Sequence, residues 1–299
     1  RATTAQDAEQ MRTILAQLPT PILAFCRTGN RSSLLFELVT RGTREAAPYD
    51  IVVIGGGSAG ISVCASLLKR NAALRIAVVE PSAEHYYQPA WTLVGGGAYD
   101  VINTVRATAD VMPKGATWVK ASLSAFAPER NVVLLSDGKE LTYQQLIVCP
   151  GLELAWEKIE GLEETLGQHG VTSNYRYDLA PYTWELVRTL RGGTALFTQP
   201  PMPIKCAGAP QKAMYLACDH WRKQGVLDAV AVEFNLSGAA LFGVPAFVPP
   251  LMKYVEAYNV TLVFQSTLVK VDGPGKTACY DVTDADANVS RHQQTRGVL

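Results

Sequence analysis

The sequence predicts an α/β protein built from two tandem dinucleotide-binding-type units, the first carrying a β-meander insertion. Three observations predict it. A buried-strand run, Ile51-Val52-Val53-Ile54, leads into Gly55, Gly57 and Gly60 at G-x-G-x-x-G spacing, then into a helix-period stretch from Ala59 to Arg70. A second apolar run, Ile76 to Val79, ends in Glu80, placed where such units carry their terminal acid. A second series of alternating strand and helix patterns runs from about Leu179 to Gln265.

Composition bounds what this scaffold can do. A chain of 299 residues holds about two domains, and 48% hydrophobic against 18% charged residues describes a globular protein. Lys+Arg 27 balances Asp+Glu 27, so net charge recruits no nucleic acid. Six cysteines (26, 64, 149, 206, 218 and 279) form no C-x-x-C pair and no disulfide framework, which suits a reducing compartment, and no metal site is expected. The longest uncharged run, Phe234 to Met252, carries Pro245, Pro249 and Pro250 and so reads as strand, loop and helix start rather than a membrane span. The chain starts without Met, in mid-helix pattern and with no signal peptide, and it is expected to be a fragment cut at both ends.

Residues 1–42 read as the C-terminal piece of a small α/β domain, followed by a polar linker at 43–48. Pro21 to Phe25 is a short buried strand, Cys26 to Ser32 a loop and Ser33 to Val39 a helix. That order makes an anion cradle, in which loop N–H groups, the helix N-terminus and Arg31 favour a Cys26 thiolate. The bland alternative is a buried structural cysteine beside a solvated turn. The loop resembles the active-site loop of rhodanese-like sulfurtransferases and of related small phosphatase-like domains. Four residues separate Cys26 from Arg31, and the resemblance then favours sulfur transfer over phosphate hydrolysis.

The first dinucleotide unit is expected over 49–162. Gly55 makes the tight turn, Gly57 lets a pyrophosphate approach the backbone, and Gly60 lets helix and strand pack closely. Ser58 and Ala59 open the helix, whose N-terminus faces the phosphates. Glu80, followed by Pro81, is placed to hold adenosine ribose hydroxyls and disfavours a 2′-phosphate, so FAD or NAD is favoured over NADP. Next comes His85-Tyr86-Tyr87-Gln88-Pro89-Ala90-Trp91-Thr92-Leu93-Val94-Gly95. This stretch resembles the flavin-contacting segment of sulfide:quinone oxidoreductases, and the resemblance makes Gln88 a cofactor contact. Apolar runs at Thr117–Phe126, Asn131–Ser136 and Leu141–Cys149, with turns at Pro128-Glu129-Arg130 and Asp137-Gly138, predict the meander and a strand returning to the parallel sheet. That strand ends in Cys149-Pro150-Gly151, where flavoproteins with two dinucleotide domains place a turn against the cofactor. Cys149 reads as a packing residue there, and Gly151 as part of the turn.

The second unit, 163–299, is predicted to alternate helix Leu179–Leu190, strand Thr194–Thr198, helix Ala209–Gln224, strand Ala229–Phe234, helix Pro249–Asn259 and strand Val260–Gln265. Its first strand should run into a second glycine motif if the unit held a nicotinamide nucleotide. Instead it runs into Pro200, Pro201 and Pro203, which cannot form that cradle, so NAD(P)H is not the expected electron donor. In its place stands Cys206, between Lys205 and Lys212 and just before a helix. Two cations and a helix N-terminus would hold a thiolate or persulfide and attract HS⁻. The plain alternative is a free core cysteine with solvent lysines. The stretch Pro203 to Leu216 is similar to the cysteine loop of sulfide:quinone oxidoreductases, whose cysteine carries the sulfane sulfur.

The resemblance covers about Tyr49 to Lys270 and implies FAD-dependent oxidation of sulfide to persulfide, with electrons passed to a quinone. It also implies a small thiol or sulfite as sulfur acceptor, and peripheral attachment to a membrane, here expected to be a bacterial inner membrane. The family's second redox cysteine, its FAD-closing Gly-Asp motif and its amphipathic membrane-facing region are not found in this sequence. Other readings stay open: an NADH:quinone or thiol-disulfide reductase on the same scaffold, or a redox-inactive flavin-binding module.

Overall fold

The computed structural model describes residues 49–295. The expected partial domain at 1–42, with Cys26 and Arg31, and the linker at 43–48 lie outside the described residues.

In chain order, β1 (Tyr49–Ile54), α1 (Ser58–Arg70) and β2 (Ile76–Val79) are followed by β3 (Glu84–Tyr86), α2 (Trp91–Gly95) and β4 (Val105–Ala107). Then come β5 (Ala116–Val119), β6 (Leu123–Ala127), β7 (Val132–Leu135) and β8 (Glu140–Val148). The remainder holds α3 (Ala180–Thr189), β9 (Gly193–Gln199), α4 (Ala209–Lys223), β10 (Val230–Leu236), α5 (Val248–Ala257) and β11 (Thr261–Val263). Three strands close the described chain: β12 (Ser266–Asp272), β13 (Thr277–Thr283) and β14 (Val289–Thr295).

Two compact units emerge, one of residues 49–86 and 106–151, the other of 87–105 and 152–295. The contiguous boundary expected at 162/163 therefore differs from the observed division. The reason is visible in α2. Gly95 and Gly96 let its end close onto Thr183 of α3 and Leu216 of α4, so a segment expected with the first unit packs in the second.

The first unit is a six-stranded sheet of order β5-β2-β1-β8-β7-β6. β1 pairs in parallel with β2 and β8, and β2 with β5, while β7 and β6 run antiparallel. Alternation on β1 sends Ile51 and Val53 under α1, with Cys64 and Leu68, and Val52 and Ile54 to the opposite face with Val133 and Tyr143. Both faces are covered, which is why the run reads as continuously apolar. The expected strand over Thr117–Phe126 is in fact two. β5 joins the parallel sheet at one edge, a tight turn in which Ala121 N–H donates to Val119 O (2.9 Å) interrupts the run, and β6 pairs with β7 at the opposite edge.

The second unit carries a three-stranded parallel sheet, β11-β10-β9, and a three-stranded antiparallel sheet, β12-β13-β14. Trp221 of α4, Phe234 and Leu236 of β10 and Val255 of α5 centre its core. Burying each such side chain contributes about 1.5–3 kcal/mol. Phe234 to Met252 folds as strand, loop and helix start, and no described helix is long and apolar enough to cross a membrane. The antiparallel sheet lies beyond Gln265, where the predicted alternation of strand and helix ends.

Candidate functional site

The first unit presents its site at the C-terminal end of β1. Gly55 adopts φ +95°, and a Cβ there would fall 2.1 Å from the Cys149 carbonyl oxygen. A Cβ on Gly60 would sit 1.8 Å from the Gly55 carbonyl oxygen. These two glycines let the turn, α1 and the β8 exit close on one another. Gly57 is different: a Cβ there meets nothing within 4 Å, so its backbone is open to a ligand. Ser58 and Ala59 are exposed and no side chain caps α1, leaving the first-turn N–H groups without helical acceptors.

The Glu80 carboxylate is already fixed. One oxygen accepts from Gly56 N–H and the other from Ser82 N–H, both at 2.8 Å. Trp118 Nε1–H donates to the Glu80 carbonyl at 2.8 Å, holding the end of β2. Pro81 is exposed beside it. Cys149 N–H donates to Ile54 O at 2.7 Å, and Gly151 follows at φ +82°. Burial pushes the half-buried Cys149 thiol up. An open glycine, an uncapped helix N-terminus and a prepositioned acid fit the pyrophosphate and ribose of a dinucleotide.

The second unit presents its site in the loop between β9 and α4. Cys206 is exposed and adopts φ +59°, a left-handed conformation unusual for a residue with a side chain. Its carbonyl accepts from Ala209 N–H at 2.9 Å. The Tyr175 hydroxyl donates to the Lys205 carbonyl at 2.8 Å and to the Cys206 carbonyl at 3.3 Å. Lys205 Nζ donates to Gln88 Oε1, and Gln88 Nε2 donates to the Tyr175 carbonyl at 3.3 Å. The ring thus runs from the Lys205 side chain through Gln88 and Tyr175 back to the Lys205 backbone.

Burial pulls the Lys205 ammonium down, and the charge of Cys206 partly restores it. Burial, then the same charge, pushes the Tyr175 phenol up to about 12, so it remains a donor at neutral pH. Lys212 stands exposed on the first turn of α4, its N–H bonded to Gly208 O at 3.0 Å. Lys205, the residue before Cys206, is the one whose ammonium is raised by Cys206. Gln88, expected at the cofactor, here bridges Lys205 and Tyr175.

Tyr175 was missed as a site residue. It lies in the loop Ser173-Asn174-Tyr175, which carries no periodic pattern and no residue type that signals chemistry. Cys64 and Cys218 are fully buried, the Cys218 thiol pushed up to about 12 by burial, and Cys279 is half-buried on β13. No cluster of His, Cys, Asp or Glu able to hold a metal occurs among the described residues.

Comparison with known proteins places the chain among flavoprotein-type oxidoreductases by sequence. The chain is 44% identical over 241 residues to the mitochondrial sulfide:quinone oxidoreductase of Dictyostelium discoideum, covering 80% of this chain and 53% of that protein. It is 34% identical over 268 residues to the mouse mitochondrial sulfide:quinone oxidoreductase, covering 85% and 60%. The chain thus spans between about half and three-fifths of the length of these relatives. The crystal structure of the sulfide:quinone oxidoreductase from Aquifex aeolicus shares the fold, with TM-score 0.68 at 20% identity over 83% of this chain and 57% of that one. Residues 49–226, more than half of the chain, match the family described as pyridine nucleotide-disulphide oxidoreductase, and the chain belongs to that family.

Proposed function

We propose that the protein acts in FAD-dependent oxidation of sulfide, with a quinone as electron acceptor. The observation that carries this is the exposed Cys206 beside Lys205, in a proline-rich loop at the position where a nicotinamide-binding unit would carry its glycine motif. The similarity to proteins named sulfide:quinone oxidoreductase supports the same substrates.

Gly55, Gly57, Ser58, Ala59 and Gly60 would hold the FAD pyrophosphate, and Glu80 its ribose, with Pro81 and Gly151 shaping the cradle. FAD held there would supply the two-electron acceptor that sulfide oxidation needs, with quinone as the final acceptor. The sulfur chemistry belongs to Cys206. With Cys206 joined in a disulfide to a second thiol, HS⁻ attacks the Cys206 sulfur and the S–S bond breaks. Cys206 then carries the persulfide, and the second thiol leaves as a thiolate holding the electron pair. The Lys205 ammonium would stabilise the deprotonated terminal sulfur of the Cys206 persulfide, and exposed Lys212 adds a longer-range pull on HS⁻. The sulfane sulfur passes to a small thiol or sulfite, and Cys26 with Arg31 is a candidate intermediate carrier. A lipid quinone places the protein at a membrane surface. The relatives' names say mitochondrial and give the expected bacterial inner membrane no support.

Stopped-flow mixing of the FAD-loaded protein with sulfide, without oxygen, tests the proposal. The expected result is a long-wavelength charge-transfer band followed by flavin bleaching, both lost in Cys206→Ser. Bleaching by NADH but not by sulfide would replace the proposal with a nicotinamide-dependent reductase.

A further inference from the structure

We infer that Tyr175 is the positioning residue of the Cys206 loop: its hydroxyl fixes the two carbonyls that flank the reactive thiol and so holds Cys206 in its left-handed conformation beside Lys205. The inference deepens the sulfide-oxidation reading and rests on Cys206 being the sulfur-bearing residue.

Three observations converge. Cys206 has φ +59° with no glycine to relieve it, so something outside the residue must stabilise that backbone. The two groups seen to do so are the Ala209 N–H and the Tyr175 hydroxyl, both donating to the Cys206 carbonyl. The same hydroxyl takes the Lys205 carbonyl, and Gln88 links the Tyr175 carbonyl to the Lys205 side chain. One residue thereby ties down the peptide groups on either side of the Cys206 Cα, while the thiol stays exposed. Half-buried Tyr175 is a protonated donor throughout the neutral range, which a switchable group could not guarantee.

Without the hydroxyl, the Lys205–Cys206 peptide is free to turn, and Cys206 relaxes toward the right-handed region. The nucleophile then loses its fixed presentation. Tyr175→Phe removes the donor and keeps the ring that fills the space.

The test is residue-resolved alkylation of the full protein by iodoacetamide at pH 7, read by mass spectrometry, in wild type, Tyr175→Phe and Tyr182→Phe. Tyr182 is the control, because its hydroxyl accepts from Gly170 N–H, outside the Cys206 loop. Alkylation of Cys206 should slow about tenfold in Tyr175→Phe, the scale of losing one to two net hydrogen bonds. Buried Cys64 and Cys218 should stay protected, and Tyr182→Phe should match wild type. Unchanged Cys206 reactivity would overturn the inference. So would a rise in Cys64 and Cys218 labelling alongside, because general loosening of the fold, not positioning, would then be at work. Sulfide-driven bleaching measured on the same samples separates the two claims. A wild type inert to sulfide sinks the proposed function, whereas the alkylation ratio still decides the role of Tyr175.

Discussion

The three glycines after β1 make a prediction in which stability and binding come apart. Gly60→Ala places a methyl 1.8 Å from the Gly55 carbonyl oxygen and 3.3 Å from Val53 Cγ1. The first contact is backbone, so α1 and β1 must separate by more than 1 Å to restore van der Waals distance. Such overpacking costs about 1–3 kcal/mol. Gly57→Ala meets nothing within 4 Å, and at φ −70°, ψ −173° alanine is comfortable. Two small effects oppose there. Alanine stiffens the unfolded chain, worth roughly 0.4–1 kcal/mol, and is a poorer N-cap than glycine by a comparable amount. Net stability should therefore change by less than about 1 kcal/mol. Yet its methyl occupies the open face against which a pyrophosphate would lie. Urea unfolding together with the flavin-to-protein absorbance ratio after purification checks both. Gly60→Ala should lower the midpoint, and Gly57→Ala should lose flavin with the midpoint kept. A Gly57→Ala protein that retains full flavin would refute the placement of the cofactor on this turn.

Two further outcomes are expected. Glu80→Gln keeps one acceptor oxygen, so of the two charge-assisted hydrogen bonds from Gly56 and Ser82 N–H one is weakened and the other is lost against the amide NH2. Flavin affinity should fall roughly tenfold by calorimetric titration, with Glu80→Asp worse than wild type because its carboxylate is shorter by one methylene. Asp178, held below the usual carboxylate range by Arg176, has a folded value depressed relative to the unfolded chain. Its contribution is therefore present at neutral pH and lost as pH falls through the folded value. Because the pair is exposed, that contribution is under about 1 kcal/mol, and Asp178→Asn should flatten the acid limb of the stability profile by no more than this.

What could be read from residues alone followed a physical rule. The Gly55–Gly57–Gly60 turn, α1, β2 and Glu80 were legible because backbone turn chemistry and strand burial are local. The Cys206 loop was legible because three prolines stand where glycines would be needed. The ring around that loop was not. Gln88 and Lys205 are 117 residues apart, and Tyr175 reaches Lys205 across 30. No local pattern encodes a hydrogen bond between two loops. The split of Thr117–Phe126 escaped for a related reason: an apolar stretch shows that residues are buried, but not that Ala121 turns the chain between two sheet positions. The discontinuous second unit escaped because the contacts of Gly95 and Gly96 lie on elements distant in sequence.

The two loops share a plan and invert its polarity. Each leaves the C-terminal end of a parallel strand, β1 or β9, and enters a helix, α1 or α4. After β1, glycines strip away side chains, leaving N–H groups open to an anion, and Glu80 is pinned from behind by Gly56 and Ser82. After β9, prolines remove N–H donors, and the group left exposed is the side-chain sulfur of Cys206. A loop that offers its backbone to a ligand needs flexibility at Cα, which glycine gives. A loop that offers a thiol needs a backbone fixed by other means. The carbonyls of Lys205 and Cys206 are accordingly taken up by Tyr175 and Ala209. The loss of the second glycine motif is thus more than the loss of a nucleotide grip. On the proposed function it exchanges a site whose specificity lies in free N–H groups for one whose reactivity would lie in a held cysteine, and Tyr175 is the residue placed to do the holding.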